Sequence, residues 1–415
     1  MKRSLVTAVV ISLALTVLLV GLHALGLVRG LEAAVLDFFA RHRPVRHTVG
    51  VLGQALIVFA LAFFIAWLTL MSRRRTRIGL VTVILFFELI GLAWLCGLYR
   101  VAFQPLPSLI AIALAFVLAE RWAVLSRRNI ATVANAFFAG RLSNDQLHRM
   151  IEGEIPLDLE PRAHEVTVVV CDIANKYDLA EEADPADYAQ TTEAFIRRTS
   201  DLFLQEDGYI LAADGEGIVA IFGYPDSTGD HADKAVRVTL GLTDAFNKER
   251  QQNNGDLFGR CDIHMGVSSG NIIVAPLESG DKPGLLTTGE PVELARRFCV
   301  ANRFYGSRIL IGPRTFELSS KHIVARPIDF LSGVNSQERH EIYEPLWLAA
   351  EAKAEHIARR DSFWNGVVLY REKRWAEAYT EFQKAKGPEG EDDAPLQLYL
   401  RRLETLALHL TTAGE

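Results

Sequence analysis

Val168-Val169-Val170-Cys171-Asp172-Ile173 is a short apolar run, rich in β-branched residues, with one carboxylate near its end. Such a run is typical of a buried strand, because β-branched side chains fit a pleated surface that is covered by other elements. A carboxylate is unusual in a buried apolar strand, because charged side chains are almost never fully buried without a partner. The stretch therefore predicts a central strand and marks Asp172 as a candidate site residue.

Two further stretches extend the pattern. Asp214-Gly215-Glu216-Gly217 is a turn that enters a second apolar strand, Ile218–Phe222. Leu285–Arg297 reads LLTTGEPVELARR, a strand followed by a glycine and the start of a helix. Strands that alternate with helices around a central hairpin predict an α+β sandwich of the ferredoxin-like kind.

The three motifs, in this order, resemble the catalytic domain of the class III adenylate/guanylate cyclases. The resemblance covers about Glu165–Glu344. It implies a ferredoxin-like α+β domain that works as a homodimer with its sites between two protomers. Members of this family convert a nucleoside triphosphate to the 3′,5′-cyclic nucleotide and pyrophosphate, with two Mg²⁺ or Mn²⁺ ions.

The resemblance assigns metal-binding positions to the strand and the hairpin. Asp172 matches the first metal-binding Asp of the family, and Glu216 falls where the second is expected. Glu is one methylene longer than Asp, and Mg²⁺ requires near-ideal octahedral geometry. Asp214 is an alternative second ligand. In another interpretation, Asp214 and Glu216 are solvated turn residues, which turns favour in any case.

Most of the positions that read the base or stabilise the transition state in the family are changed. Ala212 and Leu286 occupy the two base-reading positions, and neither side chain can donate or accept a hydrogen bond. Arg297 matches the transition-state Arg, whereas Glu293 replaces the neutral Asn of the same motif. The alternative is an i, i+4 ion pair between Glu293 and Arg297. Val334 falls at the triphosphate-binding Lys.

With these changes, the sequence favours a degenerate cyclase domain, a pseudo-cyclase that acts as a dimeric signalling module. One alternative is an active nucleotidyl cyclase, with metals on Asp172 and Glu216 and with Arg297 at the transition state. Another is a regulatory partner that forms a heterodimer with an active cyclase. The metal pair is expected only for the active enzyme, and nucleotide binding is left open for the degenerate one.

Four apolar segments precede this domain, near residues 5–27, 49–71, 78–98 and 105–120. Each is close to the ~20 residues that cross ~30 Å of hydrocarbon. With the N-terminus inside, nine Lys and Arg residues fall on the cytoplasmic side and five on the outer side. We therefore expect a multi-pass protein of the bacterial inner membrane, in contact with lipid, with a cytoplasmic cyclase domain.

The sequence divides into an anchor (1–122), a helical connector (123–163), the cyclase homology domain (164–346) and a helical tail (347–415). The tail resembles one tetratricopeptide unit. Because ~3 such units are usually needed for an independent solenoid, packing on the core or on the dimer is favoured over a peptide groove. The net charge of −6 gives no reason to expect a nucleic-acid partner. The four widely spaced Cys residues predict free thiols in apolar surroundings.

Overall fold

The computed structural model describes residues 2–27, 30, 33–35, 47–72, 75–99, 101–157, 159–215, 217–252, 258–279, 282–334, 338–388 and 393–412. The chain folds into two compact units, Met1–Ala131 and Thr132–Glu415. The boundary between them falls inside one long helix, Pro105–Phe138. The predicted four-way division of the chain places its first boundary nine residues earlier in this helix and stays a prediction.

The described part of the first unit contains four long apolar helices. They are α1 (Lys2–Ala24), α2 (Val51–Met71), α3 (Arg75–Leu98) and α4 (Pro105–Phe138), and two short strands, β1 (His47–Thr48) and β2 (Val101–Ala102), pair in parallel. All four helices are long and apolar enough to cross a membrane. Ala8, Ala66 and Ala119 pack together in one cluster. Small residues at helix contacts are typical of membrane helices, which supports the predicted anchor.

The second unit is an α+β domain on a sheet of eight described strands. The strands are β3 (Arg162–Ile173), β4 (Tyr209–Asp214), β5 (Gly217–Phe222), β6 (Ile263–Ser279), β7 (Lys282–Thr288), β8 (Ile309–Ile311), β9 (Ile323–Ser332) and β10 (Arg339–Leu348). The helices are α5 (Asn144–Ile151), α6 (Lys176–Glu182), α7 (Pro185–Gln205), α8 (His231–Gln252), α9 (Glu290–Tyr305), α10 (Pro313–Ser319), α11 (Ala354–Arg371), α12 (Trp375–Lys384) and α13 (Ala394–Thr412). The α+β class predicted from the sequence is confirmed.

Strand β3 lies in the interior of the sheet, whose order is β4-β5-β3-β6-β8-β10-β9, with β7 paired to β6. It is antiparallel to both neighbours, and its register places Asp172 opposite His264 of β6. The turn-forming residues Ser268-Ser269-Gly270-Asn271 predict two strands in place of β6, Arg260–Val267 and Asn271–Pro276. This prediction is wrong, because the ladder between β3 and β6 runs through that segment without a break. Cross-strand pairing overrides local turn preference here.

Alternate residues of β3 face two hydrophobic clusters. The odd-numbered residues from Val169 to Ile173 pack with side chains of α7 and α8. The even-numbered residues from Val166 to Val170 pack with side chains at the end of α4, from α5 and from α9. A strand covered on both faces reads as a continuous apolar run. Asp172 continues the even-numbered series, so it belongs to the face that α9 covers.

Helix α9 approaches the sheet most closely at Gly266 of β6. A Cβ atom at Gly266 would overlap with the carbonyl oxygen of Ala295 and with the backbone nitrogen of Cys299. Only glycine allows two backbones to come so close. Gly266 therefore sets the depth of α9, and with it the positions of the α9 side chains above the sheet.

The C-terminal helices α11–α13 pack on the sheet and on α9. Phe363, Phe382 and Tyr399 from these helices share one buried cluster with Phe298 of α9 and Ile328 of β9. The tail is therefore part of the second compact unit, as its predicted packing on the core required. The three cysteines of this unit, Cys171, Cys261 and Cys299, are free and buried, as predicted.

Two histidines, the buried His231 and the half-buried His264, couple the stability of this unit to pH. His231 of α8 is buried, with its Nδ1 atom 2.8 Å from the hydroxyl of Thr167. Burial lowers the pKa of His231 and that of His264. Since these pKa values are lower in the folded chain than in the unfolded one, protonation favours unfolding. Their contribution is complete above pH ~6.5 and is lost as the pH falls through the lowered pKa values.

We therefore expect the free energy of unfolding, measured by urea titration of the full chain, to fall between pH 7 and pH 5. The free energy of unfolding of the His231→Gln variant should fall less over the same range, because only His264 of the two histidines still titrates. The difference between the two proteins in the slope of unfolding free energy against pH reports the contribution of His231 alone, because the carboxylates titrate in both proteins. Equal slopes would contradict this assignment.

Candidate functional site

Asp172 lies at the end of β3, and its carboxylate is paired with a lysine. The Oδ2 atom of Asp172 accepts a hydrogen bond from the Nζ atom of Lys176 over 2.9 Å. The exposed fractions are 11% for the Lys176 side chain and 25% for that of Asp172. Both charges are thus largely removed from water. A pair in this position is much less screened than an ion pair on the surface.

The backbone that carries Lys176 is fixed by its neighbour Asn175, which precedes α6. The Asn175 side chain donates to the carbonyl oxygen of Arg260 and accepts from the backbone N–H of Asp262, both over 2.9 Å. The N–H of Ala174 also donates to the Asp262 carbonyl oxygen over 2.7 Å. Three hydrogen bonds therefore hold the turn between Asp172 and Lys176. The backbone that carries the Lys176 side chain is thus ordered.

Cys299 of α9 lies on the same face of the sheet. Its Sγ atom donates to the His264 carbonyl oxygen over 3.3 Å. Burial, reinforced by the negative charge of Asp172, raises the pKa of the Cys299 thiol to about 12. The thiol is therefore protonated at neutral pH, and it is neither a nucleophile nor a soft metal ligand in this state.

Asp214, the alternative second carboxylate, lies across β5 from Asp172. Gly217 of β5 pairs with Asp214 and lies against the Asp172 backbone, where a Cβ on this glycine would be 3.2 Å from the Asp172 Cα atom. Because neighbouring strands are ~4.8 Å apart, the Cα atoms of the two Asp residues are separated by about 10 Å. Asp214 is exposed. Glu216, the residue predicted as second metal ligand, lies outside the described residues.

The two described carboxylates, Asp172 and Asp214, do not by themselves form a two-metal centre. Such a centre needs at least two carboxylates that face ions ~3.5–4 Å apart. Here one oxygen of Asp172 is bonded to an ammonium group, and Asp214 stands two strands away. A divalent ion on Asp172 would have to displace or closely approach the positive charge of Lys176.

Arg297, the predicted transition-state arginine, is held by two groups of the protein itself. The Nε atom of Arg297 donates to Oε1 of Glu293 over 3.1 Å, and its Nη1 atom donates to the carbonyl oxygen of Gly333 over 2.6 Å. The structure thus contains the i, i+4 ion pair that the sequence allowed. Gly333 belongs to the connection between β9 and β10, so Arg297 fastens this connection to α9.

The remaining family positions present apolar side chains. Ala212 lies half-buried in β4, against the cluster on the α9 face of the sheet. Leu286 of β7 is 48% exposed, and Val334, beside Gly333, is 42% exposed. None of these three side chains can form a hydrogen bond to a base or a phosphate.

Comparison with known proteins gives the family of this unit. Residues 159–322 match the model of the adenylate and guanylate cyclase catalytic domain. This unit contains a class III cyclase domain. An uncharacterized protein of Mycobacterium tuberculosis is 24% identical over 161 residues, 39% of this chain and 27% of that protein. Adenylate cyclase 1 of Rhizobium meliloti is 21% identical over 183 residues, 43% of this chain and 27% of that enzyme.

The chain thus spans little more than a quarter of the length of the curated relatives that it matches. Among solved structures, the adenylyl cyclase CyaB from P. aeruginosa aligns with a TM-score of 0.42 and 22% identity, over 47% of this chain and 100% of that one. A dimeric guanylyl cyclase domain from Blastocladiella emersonii aligns with a TM-score of 0.38 and 19% identity, over 45% of this chain and 99% of that one.

Lys176 is the site residue that sequence reasoning missed. Its spacing from Asp172, i to i+4, was visible in the sequence, but that spacing indicates a contact only within one helix. Here Asp172 ends a strand and Lys176 begins a helix. The turn between them, held by Asn175, brings the two charges together, and this turn was not predictable from local preferences.

Proposed function

We propose that this protein is a membrane-anchored signalling module whose cyclase domain has lost efficient catalysis and acts through protein contacts as a dimer. The observation that carries the proposal is the state of Arg297. Its guanidinium group is bound by the Glu293 carboxylate and the Gly333 carbonyl oxygen. A transition-state Arg must instead direct its donors at the charge that develops on the phosphate.

The electrostatics of α9 oppose phosphate binding at the same place. Glu293 adds a negative charge one helical turn from Arg297, and at ~4 Å a carboxylate repels a phosphate. Ala212 and Leu286 add no hydrogen bond that would select a purine, so the pocket lacks the means to discriminate bases. The sheet and its helices are intact, which supports a role that depends on the shape of the domain.

The anchor supports a role at a membrane. Four apolar helices precede the cyclase domain. The Lys and Arg bias supports a cytoplasmic location of that domain in a bacterial cell. A homodimer through the cyclase domain, or a heterodimer with an active cyclase, would bring the signal of the helices to a partner protomer.

One observation favours the alternative of an active cyclase. Gly217, the first residue of β5, lies directly against Asp172, since a Cβ on this glycine would be 3.2 Å from the Asp172 Cα atom. The hairpin and the strand therefore meet where the family holds its metal ions. An active site here would need Lys176 to release Asp172 when metal and nucleotide bind.

The full chain in lipid nanodiscs should release little pyrophosphate from ATP, GTP, CTP or UTP with Mg²⁺ or Mn²⁺. Loss of one electrostatic group costs ~10²–10³ in rate, so loss of two places the rate at least ~10⁴-fold below an active class III cyclase assayed in parallel. Asp172→Ala serves as the control and should leave the residual signal unchanged. If the unaltered protein turns over a nucleotide and Asp172→Ala abolishes this turnover, the domain is an active cyclase and this proposal is wrong.

A further inference from the structure

The ion pair at Asp172 has properties that distinguish it from a surface contact. Lys176 is one of the few charged residues that are buried among the described residues, and its ammonium lies 2.9 Å from the Asp172 carboxylate. Its Nζ atom also lies 5.6 Å from the centre of the Tyr177 ring. A buried ammonium is stable only where a carboxylate or a comparable partner compensates its desolvation.

The pair is ordered in advance, because Asn175 fixes the turn that joins its two members. Lysine loses considerable rotamer freedom when it is immobilised, and this loss weakens most exposed ion pairs. A fixed backbone and a buried aliphatic stem reduce the number of states that remain to be lost. The loss of rotamer freedom therefore weakens this pair less than it weakens an exposed ion pair.

An ammonium and a divalent cation compete for one carboxylate. A divalent ion bound to the second oxygen of Asp172 would lie within a few ångströms of the Lys176 charge, in a region with little water to screen the repulsion. Displacement of Lys176 would take its ammonium away from the carboxylate that compensates its burial. Binding beside Lys176 and displacement of Lys176 each cost much of the binding energy of the ion.

We propose that Lys176 is a built-in cation that occupies Asp172 and excludes divalent metal ions from this carboxylate. The inference rests on the proposed function, and it names the residue that enforces loss of the metal site. It also attributes the loss of the metal site to the charge of Lys176. This loss is thus separate from the changes at the base-reading positions.

The test is Mn²⁺ binding by the full chain in nanodiscs, followed by the electron paramagnetic resonance signal of free Mn²⁺. The unaltered protein should have no saturable site at Asp172. Lys176→Met, which keeps the length and removes the charge, should raise Mn²⁺ affinity about 30-fold or more. Lys176→Gln should behave in the same way, and Lys176→Arg, which keeps the charge, should not gain affinity.

Asp172→Asn in the Lys176→Met background locates the ion. Loss of the gained affinity places the Mn²⁺ on Asp172, whereas binding that persists belongs elsewhere, for example to the cluster of Glu290, Glu338 and His340, whose ligand atoms lie within 4.8 Å of one another. Circular dichroism should confirm that each variant is folded.

The outcomes separate this inference from the proposed function. Mn²⁺ on Asp172 in the unaltered protein, or folded Lys176→Met and Lys176→Gln variants without gained affinity, would overturn the exclusion by Lys176 whatever the turnover. Nucleotide turnover by the unaltered protein that Asp172→Ala abolishes would overturn the proposed function, and it is measured in a separate assay.

Discussion

Replacement of Arg326 by Met is expected to lower the free energy of unfolding of the C-terminal unit by about 3–5 kcal/mol, because it leaves two largely buried carboxylates without their guanidinium partner. The Arg326 side chain is 8% exposed. Its Nη2 atom lies 2.7 Å from Glu344, and its Nη1 atom lies 2.7 Å from Asp393. A second hydrogen bond to Asp393, over 2.8 Å, makes that contact bidentate.

The loss should be concentrated at the junction of tail and sheet. Arg326 and Glu344 belong to the sheet, whereas Asp393 precedes α13 and accepts a hydrogen bond from the Leu396 backbone N–H over 3.2 Å. The guanidinium group also lies 4.5 Å from the Phe363 ring centre of α11. Removal of Arg326 should therefore release the tail from the sheet at a lower denaturant concentration than the rest of the unit.

Urea titration of the full chain, followed by tryptophan fluorescence, measures this effect, since Trp364 and Trp375 lie in the tail. The matched control replaces all three members, Arg326→Met with Glu344→Leu and Asp393→Asn. Replacement of a whole buried ionic group by side chains of similar volume is often neutral. A single variant as stable as the triple one would show that the group contributes little to holding the tail.

Gly266→Ala is expected to cost at least about 3 kcal/mol, at the upper end of overpacking effects, because the new methyl group meets the backbone of α9 on two sides. The overlapping atoms are the Ala295 carbonyl oxygen and the Cys299 nitrogen. Backbone atoms cannot rotate away as a side chain does. Helix α9 must shift as a whole, which would also disturb the contact of Arg297 with Gly333.

Gly241→Ala is the matched control, since Gly241 lies within α8 and its Cβ would meet no atom within 4 Å. Alanine is favoured over glycine in a helix by about 0.8–1.0 kcal/mol, so this variant should be more stable than the parent. Thermal unfolding followed by circular dichroism compares the two. If Gly266→Ala were as stable as Gly241→Ala, the close approach of α9 to β6 would be incorrect.

The sequence predicted the central strand, the hairpin after it and the helix of Arg297, because each carries its own local signal. β-branched runs, a glycine turn and a periodic helical pattern depend on neighbours in the chain. Prediction was less accurate at Ser268–Asn271, where four turn-forming residues lie in the middle of β6. Pairing with β3 supplies hydrogen bonds that no local preference encodes.

The candidate site divides in the same way. The types of residue at positions 172, 212, 286, 293 and 297 were readable from the sequence, and with them the apolar base positions and the change from Asn to Glu. Apart from the i, i+4 pair of Glu293 with Arg297, the partners of these residues were not readable. The contact of Arg297 with Gly333 and that of Arg326 with Asp393 join residues 36 and 67 positions apart.

By itself, then, the sequence determined the α+β class, the four apolar helices and the chemical inventory of the site, since these depend on composition and on short-range periodicity. Only the tertiary structure decided where each charge finds its counter-charge. The turn at Asn175 places an ammonium on Asp172, and the packing of α9 brings Arg297 to a carbonyl oxygen. Electrostatic energy depends on distance and on exclusion of water, and both are set by the folded chain.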